Sequence, residues 1–383
     1  MDQQAAGTRF GGRVRPSAMA LRRRRGGARL ALRLLVGAAF LAAAAVVVAG
    51  RRQELLGAGS LIGQVRPLWL AMAVAAEALS VLALTYEQQR LLRAGDAPVT
   101  TGSLAGITLA ANALGTTLPG GQAWATVFTY RQYSRKGATA GVAMWTLIAV
   151  AALSGGALAI LAVGGVFAAS DNGPSPAWGL WLLVGITAAI AVAMAFALRR
   201  PGPMVRVIVK VIGLAGRLVR RPTERLILAV ERATGQMLHV RPSAGTWVSA
   251  FVFAMLNWAA DCGCLCAAFL GIGAPVPWRG LLLAYAAGQL VTAAALTPGG
   301  IGVVEGSLTA TLVAYGAGDV STIAAVLLYR MISYWLLLGI GWPVWAFLHY
   351  RRRGVAESAP ASAPASEQVG DGPSPAGHAE GSP

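Results

Sequence analysis

Charge is scarce in this sequence: Asp, Glu, Lys and Arg make up 12% of 383 residues, against about 25% in a soluble domain. With 56% hydrophobic residues, that deficit excludes an ordinary water-soluble enzyme. The bilayer, rather than a count of globular domains, sets the architecture. Cysteine is scarce too. Cys262, Cys264 and Cys266 are odd in number, lie in one apolar stretch and alternate along it, so they read as small apolar packing and not as a disulfide framework. The three histidines, His239, His349 and His378, fall in loops or near the end of the chain, which leaves no His-based triad or His metal cluster. No Gly-Lys-Ser/Thr sequence closes any glycine cluster, so there is no P-loop and no ATP-driven pump. These absences predict a non-enzyme without a cofactor.

Long apolar runs take the place of what is missing. Candidate membrane spans cover 30–50, 68–86, 138–168, 177–198, 247–270 and 320–348, each near or above the roughly 20 residues that cross a bilayer as a helix. Residues 1–29 are Gly/Arg-rich and read as a disordered cytoplasmic leader. The first run reads as a retained helix rather than a signal peptide, because the leader is long and no small-residue cleavage site precedes a soluble domain. The transmembrane unit is therefore 30–350. Beyond it, 351–383 is an Ala/Ser/Pro/Gly-rich disordered tail.

Basic residues outnumber acids by 32 to 15. With the N-terminus inside, 27 of the 32 lie on the inner side, which predicts a multi-pass inner-membrane protein with both termini cytoplasmic. Topology accounts for the charge, so nucleic acid is not expected as a partner. Ten of these basic residues lie in the segment 199–241, where VRVIVKVIGLAGRLVR has helix-like apolar spacing. Two readings stay open there: an amphipathic helix on the anionic leaflet, or a plain positive-inside loop.

Two apolar regions, 104–131 and 281–315, are broken in the middle by Leu118-Pro119-Gly120-Gly121 and Thr297-Pro298-Gly299-Gly300. Proline removes a backbone donor and Gly-Gly adds freedom, so each region is two half-helices, either re-entrant or fully crossing. Superimposing the two breaks gives a shift of 179 residues that also aligns their neighbours. The expected fold is thus an all-α polytopic bundle with an inverted repeat, about 65–168 and 245–347. Paired broken helices in such repeats point to a substrate site near the membrane midplane.

Backbone groups freed at the breaks must be satisfied by protein, water or ligand. A half-helix N-terminus there could receive a phosphate; a structural kink is the other reading. Glu305 and Arg330 are charges at membrane depth and natural partners. They make either a structural ion pair or a headgroup site. Arg131 is either a topology anchor or a phosphate ligand at the mouth of a groove. Glu77, Asn112, Asn257 and Asp261 lie in apolar segments, with Asn257 and Asp261 one helical turn apart. They line a polar cavity or bond helices together.

The stretch TPGGIGVVEGSLTATLVAYG followed by LLYRMISYWLLLGIGW, and the earlier NALGTTLPGGQAWATVFTYRQYSRKGA, resemble the two signatures of the lysylphosphatidylglycerol synthase transmembrane-region family, flippase-like integral membrane proteins. The first signature departs from the pattern at Gln122-Ala123, where many members carry an acid near the glycine. The resemblance implies a bundle with inverted repeats and re-entrant helices, in some members moving an amino-acylated phospholipid to the outer leaflet. The soluble synthase domain of bifunctional members is not expected here. By motif position the implied substrate-binding residues are Pro298, Gly299, Gly300, Gly302, Glu305 and Arg330, then Pro119, Gly120 and Arg131.

The resulting expectation is a flippase that binds a phospholipid or lipid-linked headgroup between two repeats. Its partners would be membrane lipids, anionic or amino-acylated, and a homo-oligomer is left open. An ion-coupled small-solute transporter using Glu305, or a non-transporting scaffold for envelope synthesis, are the alternatives.

Overall fold

Helix α1 (Arg52–Ile62) packs against the start of a later span, and Pro67 then opens α2 (Pro67–Ala94) at a position where a missing N–H costs nothing. The computed structural model describes residues 52–118, 120–169, 240–294 and 298–357, with isolated positions between 181 and 236. Pro119, the leader 1–29, the span 30–50, most of the span 177–198, nearly all of the basic segment and the tail from 358 lie outside the described residues. The remaining helices bounded within the described residues are α3 (Thr101–Thr117), α4 (Gly121–Arg135), α5 (Ala140–Ala169), α6 (Ala244–Gly271), α7 (Trp278–Ala294), α8 (Val303–Ala314), α9 (Asp319–Arg330) and α10 (Leu337–Glu357). One π-helical turn, Met331–Leu336, joins α9 to α10. The described residues form an all-helical bundle.

Among the described residues, four helices are long and apolar enough to cross a membrane: Pro67–Ala94, Ala140–Ala169, Ala244–Gly271 and the continuous stretch Asp319–Tyr350. They contain the expected spans 68–86, 138–168, 247–270 and 320–348, apart from the two residues before Ala140. α1 falls between the expected spans 30–50 and 68–86, where no helix is predicted. It buries Ala58 against Ile323 and Ala324 of α9, and the whole helix is only 11 residues long, too short for a periodicity argument.

α2 and α6 form the centre and run antiparallel. Arg66 N–H donates to the Gly271 carbonyl (3.0 Å) at one end. Ser80 Oγ donates to Asn257 Oδ1 (3.0 Å) midway. Tyr86 stacks on Phe253 towards the other end, with ring centroids 5.6 Å apart.

Both broken regions fold back on themselves. In the first hairpin Gly115 of α3 faces Ala125 of α4, while Leu104 and Ile107 pack in one cluster with Tyr133. In the second, Gly288 of α7 faces Leu308 of α8, and Gly280 faces Tyr315. The arms have 17 and 15 residues, then 17 and 12. At 1.5 Å per residue none exceeds about 26 Å, short of a hydrocarbon layer of about 30 Å.

Each hairpin leans on the long helix of the other half: α3 packs on α10, and α7 on α5. Small residues permit the approach. A Cβ added at Gly165 of α5 would lie 2.7 Å from the Leu283 nitrogen, and one at Gly341 of α10 would lie 2.8 Å from the Ala113 Cβ. Without a water-driven hydrophobic force inside the membrane, such close backbone contact is what holds helices together.

Candidate functional site

α2 is apolar overall, but Glu77, Ser80, Leu84 and Gln88 recur at three- and four-residue intervals, so they share one face. That face looks into a cavity of about 430 Å³. Similar stripes on other helices complete its wall: Thr108 and Asn112 on α3, Asn257 and Asp261 on α6, and Tyr285, Gln289 and Thr292 on α7. Each stripe repeats every three or four residues. The resulting chamber gathers many polar side chains in an apolar bundle, and its size falls within the range of ligand pockets.

Asp261 is its most heavily bonded group. Oδ2 accepts from the Tyr285 hydroxyl (2.8 Å) and from Gln289 Nε2 (3.0 Å), and Oδ1 accepts from the Tyr329 hydroxyl (3.0 Å). Glu77 reaches Asp261 across the α2–α6 contact. It is 5% exposed, and its Oε2 is buried without a hydrogen-bond partner. Lower on α2, Gln88 Oε1 accepts from Thr108 Oγ1 (3.1 Å) and from the Tyr133 hydroxyl (2.9 Å), tying the first hairpin to the central helix.

The second break forms one corner of the cavity. Arg330 Nε donates to Glu305 Oε1 at 2.7 Å, and Nη2 donates to the Gly299 carbonyl at 2.7 Å. The guanidinium lies over the Tyr334 ring, 4.6 Å from its centroid. The other Glu305 oxygen, Oε2, accepts from the Gly302 N–H (2.6 Å), closing the start of α8 as a capping box does. The N-terminus of α8 is therefore filled by the protein's own carboxylate. Gly299 has φ 64°, and a Cβ there would collide with the Tyr334 ring. The π-helical turn directly after Arg330 carries Ser333 and Tyr334 into the cavity wall.

The first break is built differently. Gly120, at φ 65°, starts α4 without any side-chain cap. α4 then divides its faces: Gln122, Ala125 and Thr129 line the cavity, while Trp124, Phe128, Arg131 and Arg135 turn away from it. Those outer residues, with Trp345 and His349 of α10, line a separate groove of about 280 Å³.

Of the residues singled out in the sequence, Gly299 and Arg330 line the cavity and Glu305 braces them. Pro298, Gly300 and Gly302 belong to the turn beside it. Arg131 sits in the outer groove, and Pro119 is outside the described residues. Glu77, Asn112, Asn257 and Asp261 all line the cavity, and Asn257 also bonds a neighbouring helix, so both readings of that residue hold together. Ser80, Gln88, Tyr285, Gln289 and Tyr329 went unremarked in the sequence, although their three- and four-residue spacing inside apolar helices carried the signal. Glu87 was also missed. It is 0% exposed with both carboxylate oxygens unpartnered, and it does not line the cavity.

The family model described as lysylphosphatidylglycerol synthase TM region matches residues 30–341. No curated protein matches the chain.

Proposed function

As the chain belongs to the lysylphosphatidylglycerol synthase TM region family, we propose that it is a lipid flippase, carrying an anionic or amino-acylated phospholipid headgroup through the central cavity. The observation that carries this reading is a chamber of about 430 Å³, partly open and lined by many polar side chains, between otherwise apolar helices. A headgroup needs such surroundings on its way across, because lipid cannot satisfy its polar groups. The outer groove adds a place for the lipid to be caught, with Arg131 and Arg135 beside Trp124, Phe128 and Trp345. Arginine suits a phosphate, and aromatic walls suit the glycerol and upper acyl region.

The reading includes an inverted repeat. α2 and α6 are equivalent under the 179-residue shift and antiparallel in space. Cavity-lining positions also fall in pairs at that shift: Ala125 and Thr129 with Val304 and Leu308, Val150 and Ser154 with Tyr329 and Ser333. The chamber then lies on the pseudo-symmetry axis, where alternating exposure to the two leaflets is natural. Residence in the inner membrane with both termini cytoplasmic follows from the distribution of Lys and Arg.

Reconstitution tests the reading. Liposomes containing the full chain and headgroup-labelled phosphatidylglycerol, or its lysyl ester, should expose the label to a membrane-impermeant quencher faster than protein-free liposomes do. Equal rates for every headgroup would refute it. Uptake of a water-soluble solute with no lipid movement would favour a secondary transporter, and neither activity would favour a scaffold.

A further inference from the structure

Asp261 and Glu77 face each other at the centre of the bundle, and their hydrogen bonds do not balance without a proton. Tyr285, Gln289 and Tyr329 already donate to both Asp261 oxygens, the set of partners an ionised carboxylate wants. Glu77 is within side-chain hydrogen-bonding range of that carboxylate. Both are acceptors when ionised, so two carboxylates facing each other repel and cannot bond, and a proton shared between them is the arrangement that satisfies both. The Glu77 Oε2 atom is buried with no donor at all. Glu77 is thus the natural carrier of the proton and Asp261 its acceptor.

The titratable groups that face the pair, among the described residues, are Tyr285 on α7, Tyr329 and Arg330 on α9, and Cys262 and Cys264 on α6. Arg330 does not neutralise it directly, because its Nε is bonded to Glu305 and its Nη2 to the Gly299 carbonyl. Glu305 and Arg330 cancel, leaving the singly protonated pair with one negative charge at the cavity wall. Both residues line the cavity, which is large enough for water to receive the proton.

We propose that Glu77 and Asp261 form a proton-binding site that exchanges one proton with the cavity and couples passage through it to the transmembrane pH difference. The coupling rests on the flippase reading above; the proton site does not. With the proton in place, the two carboxyl groups join α2 to α6. When it leaves to cavity water, two negative charges face each other across the central helix contact, and their repulsion favours separation of the helices there. Protonation thereby sets the state of the wall between the two halves.

Two measurements on the full chain test this. In nanodiscs, difference infrared spectroscopy across a pH titration should show a reversible carbonyl band of a protonated carboxylic acid. The band should be lost in both Glu77→Gln and Asp261→Asn and kept in Glu87→Gln, with all variants monodisperse. No titrating band in wild-type protein, or one that survives both substitutions, overturns the site. In proteoliposomes, an imposed pH difference should shift the leaflet ratio of headgroup-labelled phosphatidylglycerol. The shift should reach up to about tenfold per pH unit for one coupled proton, reverse with the gradient and vanish in Glu77→Gln. Movement that ignores the pH difference, or follows a sodium gradient at matched pH, overturns the coupling and leaves the flippase reading intact. No lipid movement at any gradient overturns the flippase reading and the coupling together, while the infrared result still decides the proton site.

Discussion

Arg330 and Glu305 meet at 2.7 Å, Nε to Oε1, and between them bind two points at the second break, the Gly299 carbonyl and the Gly302 N–H, and the Tyr334 ring of the π-helical turn. The pair works as a clamp on the turn as well as an ion pair. Replacing Arg330 with Met leaves a carboxylate and a carbonyl without their donor. A fully buried pair loses about 3–5 kcal/mol when one partner is removed. Because the Glu305 side chain keeps 23% of its exposure, a loss of roughly 2 kcal/mol is expected by discounting that range. Thermal unfolding of Arg330→Met, Glu305→Gln and the double variant should show a coupling energy of about 1–2 kcal/mol. Additive effects would mean that the two residues act separately.

The glycines of the second break differ in what they require. Gly299 combines a left-handed φ of 64° with the Tyr334 ring where a Cβ would go, whereas Gly302 has φ 85° and open space. Gly302→Ala should therefore cost only the backbone term, about 1–2 kcal/mol. Gly299→Ala should cost clearly more and should displace Tyr334 from beneath Arg330. Melting temperatures of the two variants check the order, and equal losses would contradict the packing argument.

Arg131 and Arg135 occupy the outer groove and not the cavity. Changing either to Gln should leave thermal stability unchanged and weaken retention of anionic lipid. The expected loss is about fivefold per charge removed, from about 1 kcal/mol per basic residue near an anionic surface. Native mass spectrometry of the purified variants against phosphatidylglycerol provides the measure. Unaltered retention would make Arg131 a topology anchor only.

Glu87 is enclosed with no donor for either oxygen. A carboxylate in such surroundings is costly, and its amide isostere carries no charge. Glu87→Gln should leave the melting temperature unchanged or raise it, while Glu87→Lys should prevent recovery of folded protein. A marked destabilisation by Gln would reveal a partner for the Glu87 carboxylate.

The spans were legible because the bilayer demands runs of about 20 apolar residues, which 68–86, 138–168, 247–270 and 320–348 supply. The breaks were legible because proline and paired glycines are incompatible with an uninterrupted helix. Hairpin return was not, since hydropathy reads alike for an arm that turns back and one that crosses. α1 and the π-helical turn at Met331–Leu336 were also hidden: neither has a composition that separates it from its neighbours.

For the cavity, the sequence by itself determined that Glu77, Asn112, Asn257 and Asp261 are polar residues in apolar segments, and that Glu305 and Arg330 are charges at depth. It paired Glu305 with Arg330 but could not say which of the others meet. Glu77 and Asp261 stand 184 residues apart in the chain, and only the antiparallel packing of α2 against α6 sets them face to face. The same packing gives Asp261 three donors from two further helices while leaving Glu77 Oε2 none. Periodicity along one helix tells which face a residue occupies. What that face meets depends on how other helices pack against it, and so on contacts between residues far apart in the chain.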